Sequence, residues 1–139
     1  MSNPTSILVI GKRGGVLQWF EHVLDSQLYL PDVKISSFAL NHNNQYERLH
    51  KRILKTMQAN EQLENLTATL LEQKIKLCQP QIILITDLYY LTDQIKEVLN
   101  QVKNKTTIFH WIGDFFDQRL KSNQSVIDHF LFTDSTFIA

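Results

Sequence analysis

The sequence predicts an α/β fold of Rossmann-like, three-layer architecture around a five-stranded parallel sheet. Three observations carry that expectation. Short apolar runs recur, as at Ile7–Ile10 and Gln81–Asp87, in the manner of strands buried on both faces. Stretches with helical spacing alternate with these runs along the whole chain. The chain has 139 residues, enough for one domain with a real core and not comfortably enough for two.

In order, Ile7–Ile10 is a first strand that runs into the loop Gly11-Lys12-Arg13-Gly14-Gly15. Val16, Leu17, Trp19, Phe20, Val23, Leu24 and Leu28 then recur at helical spacing, and Pro31 closes the helix. Val33–Leu40 is a second strand, followed by the polar turn Asn41–Asn44. From Gln45 to Gln79 there is neither Gly nor Pro, and helix formers dominate. One unbroken helix there would run roughly 50 Å, whereas a strand of six residues covers about 20 Å. The segment must therefore break, with Asn60 the expected point, or project from the sheet and find a partner. Its first half carries a narrow stripe, Tyr46, Leu49, Ile53 and Met57. The wider stripe Leu63, Leu66, Leu70, Leu71, Ile75 and Leu77 marks the second half as the docked helix. Two readings of the first half stand: a solvated helix with a modest inward stripe, or a face for homo-oligomerisation through residues 45–79.

Pro80 ends that helix and Gln81–Asp87 is the third strand. Thr92 or Asp93 caps the next helix, which carries Ile95, Val98, Leu99 and Val102. The fourth strand, Thr106–Ile112, is almost wholly β-branched or aromatic and stops at Gly113-Asp114. Asp117–Gln124 reads as a short helix or loop, and His129–Thr133 as the fifth strand, ending at Asp134. Such alternation implies parallel strands joined by right-handed crossovers. The expected strand order is 3-2-1-4-5, with ligands beyond the carboxyl ends of the strands. That order sets strand 1 beside strand 4, and the crevice between them is lined by Gly11–Gly15 and Gly113–Asp114.

Composition excludes several function classes. Lys plus Arg equals Asp plus Glu at 14 each, so no basic field points to nucleic acid. A single cysteine, Cys78, rules out an internal disulfide. The apolar run near the N-terminus is too short for a signal peptide, and no stretch is long enough to span a membrane, which points to the cytoplasm. The five histidines show no metal-ligand spacing with one another or with Cys78, so neither metal nor cofactor is expected. His110, inside a strand, reads as a core residue.

Two constellations remain. In the Gly11–Gly15 loop, glycines let backbone approach a ligand while Lys12 and Arg13 add positive charge. Its spacing satisfies no nucleotide fingerprint, and the plainer reading is a tight turn between strand and helix. Strands 3, 4 and 5 each end in an acid, Asp87, Asp114 and Asp134. Such an acid is either a helix cap or, in the case of Asp114, a general base toward a hydroxyl.

Taken together, the glycine-containing first loop, "QPQIILITD", "TTIFHWIGDFFDQRL" and "DHFLFTDSTFI" resemble the N-terminal half of GT-B glycosyltransferases, closest to the group related to the spore-maturation protein CgeB. The corresponding positions are Gln79–Thr86, Trp111–Asp114 and Phe130–Asp134, with Gln81 where that group usually has Asp. The resemblance implies that residues 1–139 form the acceptor-side half of a two-domain, nucleotide-sugar-dependent transferase. This half is expected to be inactive without a C-terminal nucleotide-sugar-binding domain, and its acceptor is a glycan or a related molecule. Lys12, Arg13, Gly14, Gly15, Trp111 and Gly113 would then contact substrate, with Asp114 as the base. Two alternatives stand beside it: a receiver-like signalling domain with Asp87 as phosphoacceptor, and a non-catalytic interaction module built on residues 45–79.

Overall fold

The computed structural model describes residues 5–14, 19–25, 27, 31–86, 91–112 and 121–132. Its strands are β1 (Thr5–Gly11), β2 (Val33–Ala39), β3 (Ile82–Thr86), β4 (Thr107–Ile112) and β5 (His129–Phe132). Its helices are α1 (Trp19–Asp25), α2 (Gln45–Thr56), α3 (Asn60–Cys78) and α4 (Asp93–Val102), with a 3₁₀ turn at Ser122–Ser125. All four strand pairings are parallel, so the Rossmann-like α/β architecture holds.

The strand order is β2-β1-β3-β4-β5, which corrects the expected 3-2-1-4-5. Polarity explains the difference. β2 carries Lys34, Ser36 and Ser37, and such a strand belongs at an edge. β3 reads IILIT, with Ile83 and Ile85 completely buried, and needs a neighbour on each side. The expected order would have put the apolar strand on the rim and the polar one inside.

Two cores flank the sheet. On one face, Leu8, Ile10, Phe38, Ile83, Ile85 and Ile108 pack against Leu71 and Ile75 of α3 and Ile95, Val98 and Leu99 of α4. On the other, Phe20, Val23 and Leu24 of α1 cover Ile7, Val9, Ile35 and Ala39. His110 is fully buried on the α3–α4 side with its ring 5.7 Å from that of Phe130, in the core as expected.

The long 45–79 segment breaks between α2 and α3, and α3 opens at Asn60 as expected. The break turns on Gln58, whose φ of 58° lies in the left-handed region. A non-glycine residue there is strained by about 1–2 kcal/mol. Gln58→Gly is therefore expected to raise stability by about 0.5–1 kcal/mol, part of the relief being offset by a freer unfolded chain; urea denaturation measures it. The second half docks through Ala68, Leu71 and Ile75. Leu77 departs from the expected stripe and is exposed. Thr92 is the cap of α4, its side chain accepting the Ile95 N–H at 3.3 Å. Thr92→Ala should lose about 1 kcal/mol in the same assay. No helix among the described residues is long and apolar enough to cross a membrane.

Candidate functional site

In a sheet ordered 2-1-3-4-5, β1 and β3 flank the point where the chain reverses direction, and ligands gather beyond their carboxyl ends. The expected adjacency of β1 and β4 does not occur. β3 lies between them, so the ends of β1 and β4 stand about 10 Å apart along one rim. They nevertheless open on the same face. Thr86 pairs with Trp111, and Trp111 with Leu131. Gly11, paired with Ala39, closes the same row on the α1 side.

Gly11 owes its identity to packing. A Cβ there would fall inside contact distance of Thr86 Oγ1 and 2.8 Å from Phe20 Cδ2. Thr86 itself is buried, its hydroxyl donating to the Ile10 carbonyl at 3.4 Å. Gly14 is a glycine for a different reason: its φ is +74° and its surroundings are open.

The loop that follows β1 is well tied, which changes what it can bind. The Arg13 N–H donates to Asn41 Oδ1 at 3.2 Å, and Asn41 Nδ2 donates back to the Arg13 carbonyl at 3.1 Å. The Gly14 N–H donates to Glu21 Oε1 at 2.8 Å. Two amides that a phosphate cradle would use are thus occupied by the protein's own side chains. Lys12, Arg13 and Gly14 are all exposed, and the Arg13 guanidinium lies 5.6 Å from the centroid of the Phe20 ring. What the loop offers a ligand is side-chain charge on a fixed backbone, in place of an open nest.

That fixed backbone rests on a polar lattice that sequence reasoning missed. Asn43 Oδ1 accepts the Ala39 N–H and its Nδ2 donates to the Ala39 carbonyl, extending the end of β2. Asn44 caps α2 by accepting the Glu47 N–H at 2.9 Å. Glu47, nearly buried, accepts the Asn43 N–H at 2.8 Å and pairs with Lys51 at 2.8 Å. The Lys51 ammonium completes its set with the carbonyls of Leu40 and Asn41, each at 3.0 Å. Burial disfavours the ionised carboxylate of Glu47, but Lys51 and the amide of Asn43 outweigh it and hold its pKa below the usual value. The signal was present in the sequence as Asn44 followed three residues later by Glu47, a capping-box spacing.

Among the other residues singled out, Trp111 is half-buried at the end of β4 on the α1 face, a row beyond Phe109, whose ring stacks 5.2 Å from that of His129. Gly15, Gly113, Asp114, Asp87 and Asp134 lie outside the described residues. No group of three or more metal-ligating side chains occurs among the described residues. Asn123 is a second buried polar residue that sequence reasoning missed; its Oδ1 accepts the Leu91 N–H at 2.9 Å. Comparison of the chain with protein-family models, with curated proteins and with solved structures found no match.

Proposed function

We propose that the chain is the acceptor-side domain of a nucleotide-sugar-dependent glycosyltransferase, working in the cytoplasm with a C-terminal nucleotide-sugar-binding domain. The observation that carries this reading is the shared rim. Arg13, exposed on an anchored backbone after β1 with its guanidinium over the Phe20 ring, lies on the same side of the sheet as Trp111 near the end of β4, and Lys12 precedes it in the same exposed loop. Cations and an aromatic side chain spaced along one rim suit a sugar or sugar-phosphate acceptor, through charge-assisted hydrogen bonds and ring stacking. In this reading Gly15 and Gly113 let the acceptor approach, and Asp114, the residue after Gly113 in the sequence, takes the proton from the attacking hydroxyl.

The test uses the product of the whole native reading frame and a panel of nucleoside diphosphate sugars, with release of the nucleoside diphosphate as readout. Asp114→Asn is expected to lower kcat about 100-fold. Replacing Lys12 and Arg13 by Ala is expected to raise the acceptor KM about tenfold with little change in kcat. Unchanged turnover in Asp114→Asn, or a reading frame with no second α/β domain, overturns the reading.

One observation favours a second reading, the receiver-like signalling domain. The order 2-1-3-4-5 is one that signalling receivers share, and Asp87 directly follows the last residue of β3. Against it, β1 runs into Gly11-Lys12-Arg13, where an acidic pair for Mg²⁺ would be needed. Incorporation of phosphate at Asp87 from a small-molecule phosphodonor with Mg²⁺ would establish it, and failure to incorporate would close it.

A further inference from the structure

α2 turns its apolar side chains outward. Tyr46, Leu49, Ile53 and Met57 are exposed, where the sequence allowed an inward stripe. Glu47 and Lys51 face the body of the domain instead, so α2 is held there through a polar pair. A third flank of the helix is cationic. Arg48, Arg52 and Lys55 fall within an arc of about 60°, on the side away from the apolar edge. All three are exposed, and none takes part in an ion pair among the described residues.

Such an arc is unfavourable to the helix that carries it. Arg48 and Arg52 stand four residues apart, as do Lys51 and Lys55, and Arg52 and Lys55 stand three apart, so like charges are surface neighbours. α2 has one acid, Glu47, and Lys51 already takes it. The equal totals of acid and base in the whole chain conceal this local excess. A flank that repels itself is relieved by a bound polyanion.

The arc borders the proposed acceptor site. Lys51 stands between the docked face and the arc, and it donates to the carbonyls of Leu40 and Asn41, each at 3.0 Å. The Asn41 side chain in turn holds the backbone of Arg13. From that junction the three cations extend over about 10 Å of helix axis, longer than a single phosphate can use.

The chemistry of the arc narrows its occupant. A single-stranded nucleic acid is held by aromatic side chains interleaved with cations, and Tyr46, the aromatic residue of α2, lies on the opposite edge. A protein partner calls for an apolar centre inside a polar rim, and the arc has none. Charge alone, strung along a line, suits phosphates carried at intervals on a flexible sugar or polyol chain.

We propose that Arg48, Arg52 and Lys55 extend the acceptor site along α2, and that the acceptor is a sugar or polyol chain linked by phosphodiesters. The word acceptor rests on the transferase reading; the binding of such a chain does not.

The experiment measures fluorescence anisotropy of a labelled poly(glycerol phosphate) oligomer. Oligo(dT) and poly-glutamate of matched charge, and neutral dextran, are the comparators. The chain is expected to bind the glycerol phosphate oligomer most tightly and dextran not at all, with an affinity that falls as salt rises. Replacing Arg48, Arg52 and Lys55 together by Gln should weaken binding at least about tenfold and flatten the salt dependence. Circular dichroism and the urea midpoint should stay at or above the parent's, because like-charge neighbours are removed. Lys34→Gln with Lys105→Gln, exposed cations at the opposite ends of their strands, should leave the affinity unchanged. No binding of the oligomer, or an equal loss in the Lys34 and Lys105 variant, overturns the proposal. So does binding of oligo(dT) or poly-glutamate as tight as that of the oligomer, which would make the ligand a nucleic acid or an acidic protein segment. Oligomer binding without turnover of any nucleoside diphosphate sugar supports the cationic arc and removes the transferase reading. Turnover with a neutral acceptor and no oligomer binding overturns the arc alone.

Discussion

Gly11→Val is expected to destabilise the domain by more than about 4 kcal/mol, enough to leave most of the chain unfolded. Gly11 lies where β1 ends against β3 on one side and α1 on the other, and neither neighbour has room to give way. The Thr86 hydroxyl is held by the Ile10 carbonyl in the buried sheet. Phe20 is completely buried and is the plug of the α1 core, against Val9 and Ala39. Even the Cβ of Gly11→Ala would meet Thr86 Oγ1 and stand 2.8 Å from Phe20 Cδ2 and 3.1 Å from Phe20 Cβ, so about 3 kcal/mol is expected for that smaller change. Thr86→Ala removes the closest of these atoms. Introduced together with Gly11→Ala, it should recover at least about 1 kcal/mol, a coupling that a double-mutant cycle in urea measures directly. Gly14→Ala is the control. Nothing stands near a Cβ there, so only its left-handed φ of 74° resists, at about 1–2 kcal/mol. If Gly11→Val unfolds at the parent's urea midpoint, the packing assigned to the end of β1 is wrong.

Lys51→Met should cost about 3–4 kcal/mol at neutral pH, because it strands a nearly buried carboxylate. Two backbone carbonyls, of Leu40 and Asn41, lose their donor at the same time. The pH dependence separates this cause from simple loss of packing. In the parent, Glu47 has a folded-state pKa below its ordinary value of 4.5. Its contribution is therefore complete above pH 4.5 and is lost as pH falls through the depressed folded-state value. In Lys51→Met the burial remains and only the Asn43 donors are left to offset it, so the Glu47 pKa is expected to lie above its value in the parent. Acidification toward the carboxylate range should then weaken the parent but narrow the gap between parent and variant. Urea midpoints followed from pH 7 down to about pH 3 give both curves. Parallel curves would show that the Glu47–Lys51 pair does not set the ionisation of Glu47. The same lattice holds Asn41, and Asn41 brackets the backbone of Arg13. Lys51→Met is thus expected to loosen the loop after β1 as well.

The alternation of apolar runs and helical stripes was enough to give the parallel α/β class, the extents of β3 and β4, the cap at Thr92 and the break at Asn60. These features follow from local periodicity and from residues within a few positions of one another. Strand order is of another kind. The serines and lysine of β2 do mark it as an edge strand, but that inference requires weighing all five strands against one another. Order is decided by which strands can bury both flanks. The same distinction runs through the site. Lys12, Arg13 and Trp111 were legible as candidates from residue type and position at strand ends. That Glu21 and Asn41 already occupy the loop's amides was not legible, because it depends on how α1 presents Glu21 and on Asn41 returning to the loop from beyond β2.

By itself, then, the sequence determined which segments are strands and helices, and that the strands run parallel, since side-chain periodicity is a property of consecutive residues. Tertiary structure alone decided that β3 separates the ends of β1 and β4, that Gly11 is a packing requirement, and that the Tyr46–Met57 edge faces outward. Each of these depends on how surfaces distant in the chain compete for burial, and burial is assigned only when the whole core is assembled.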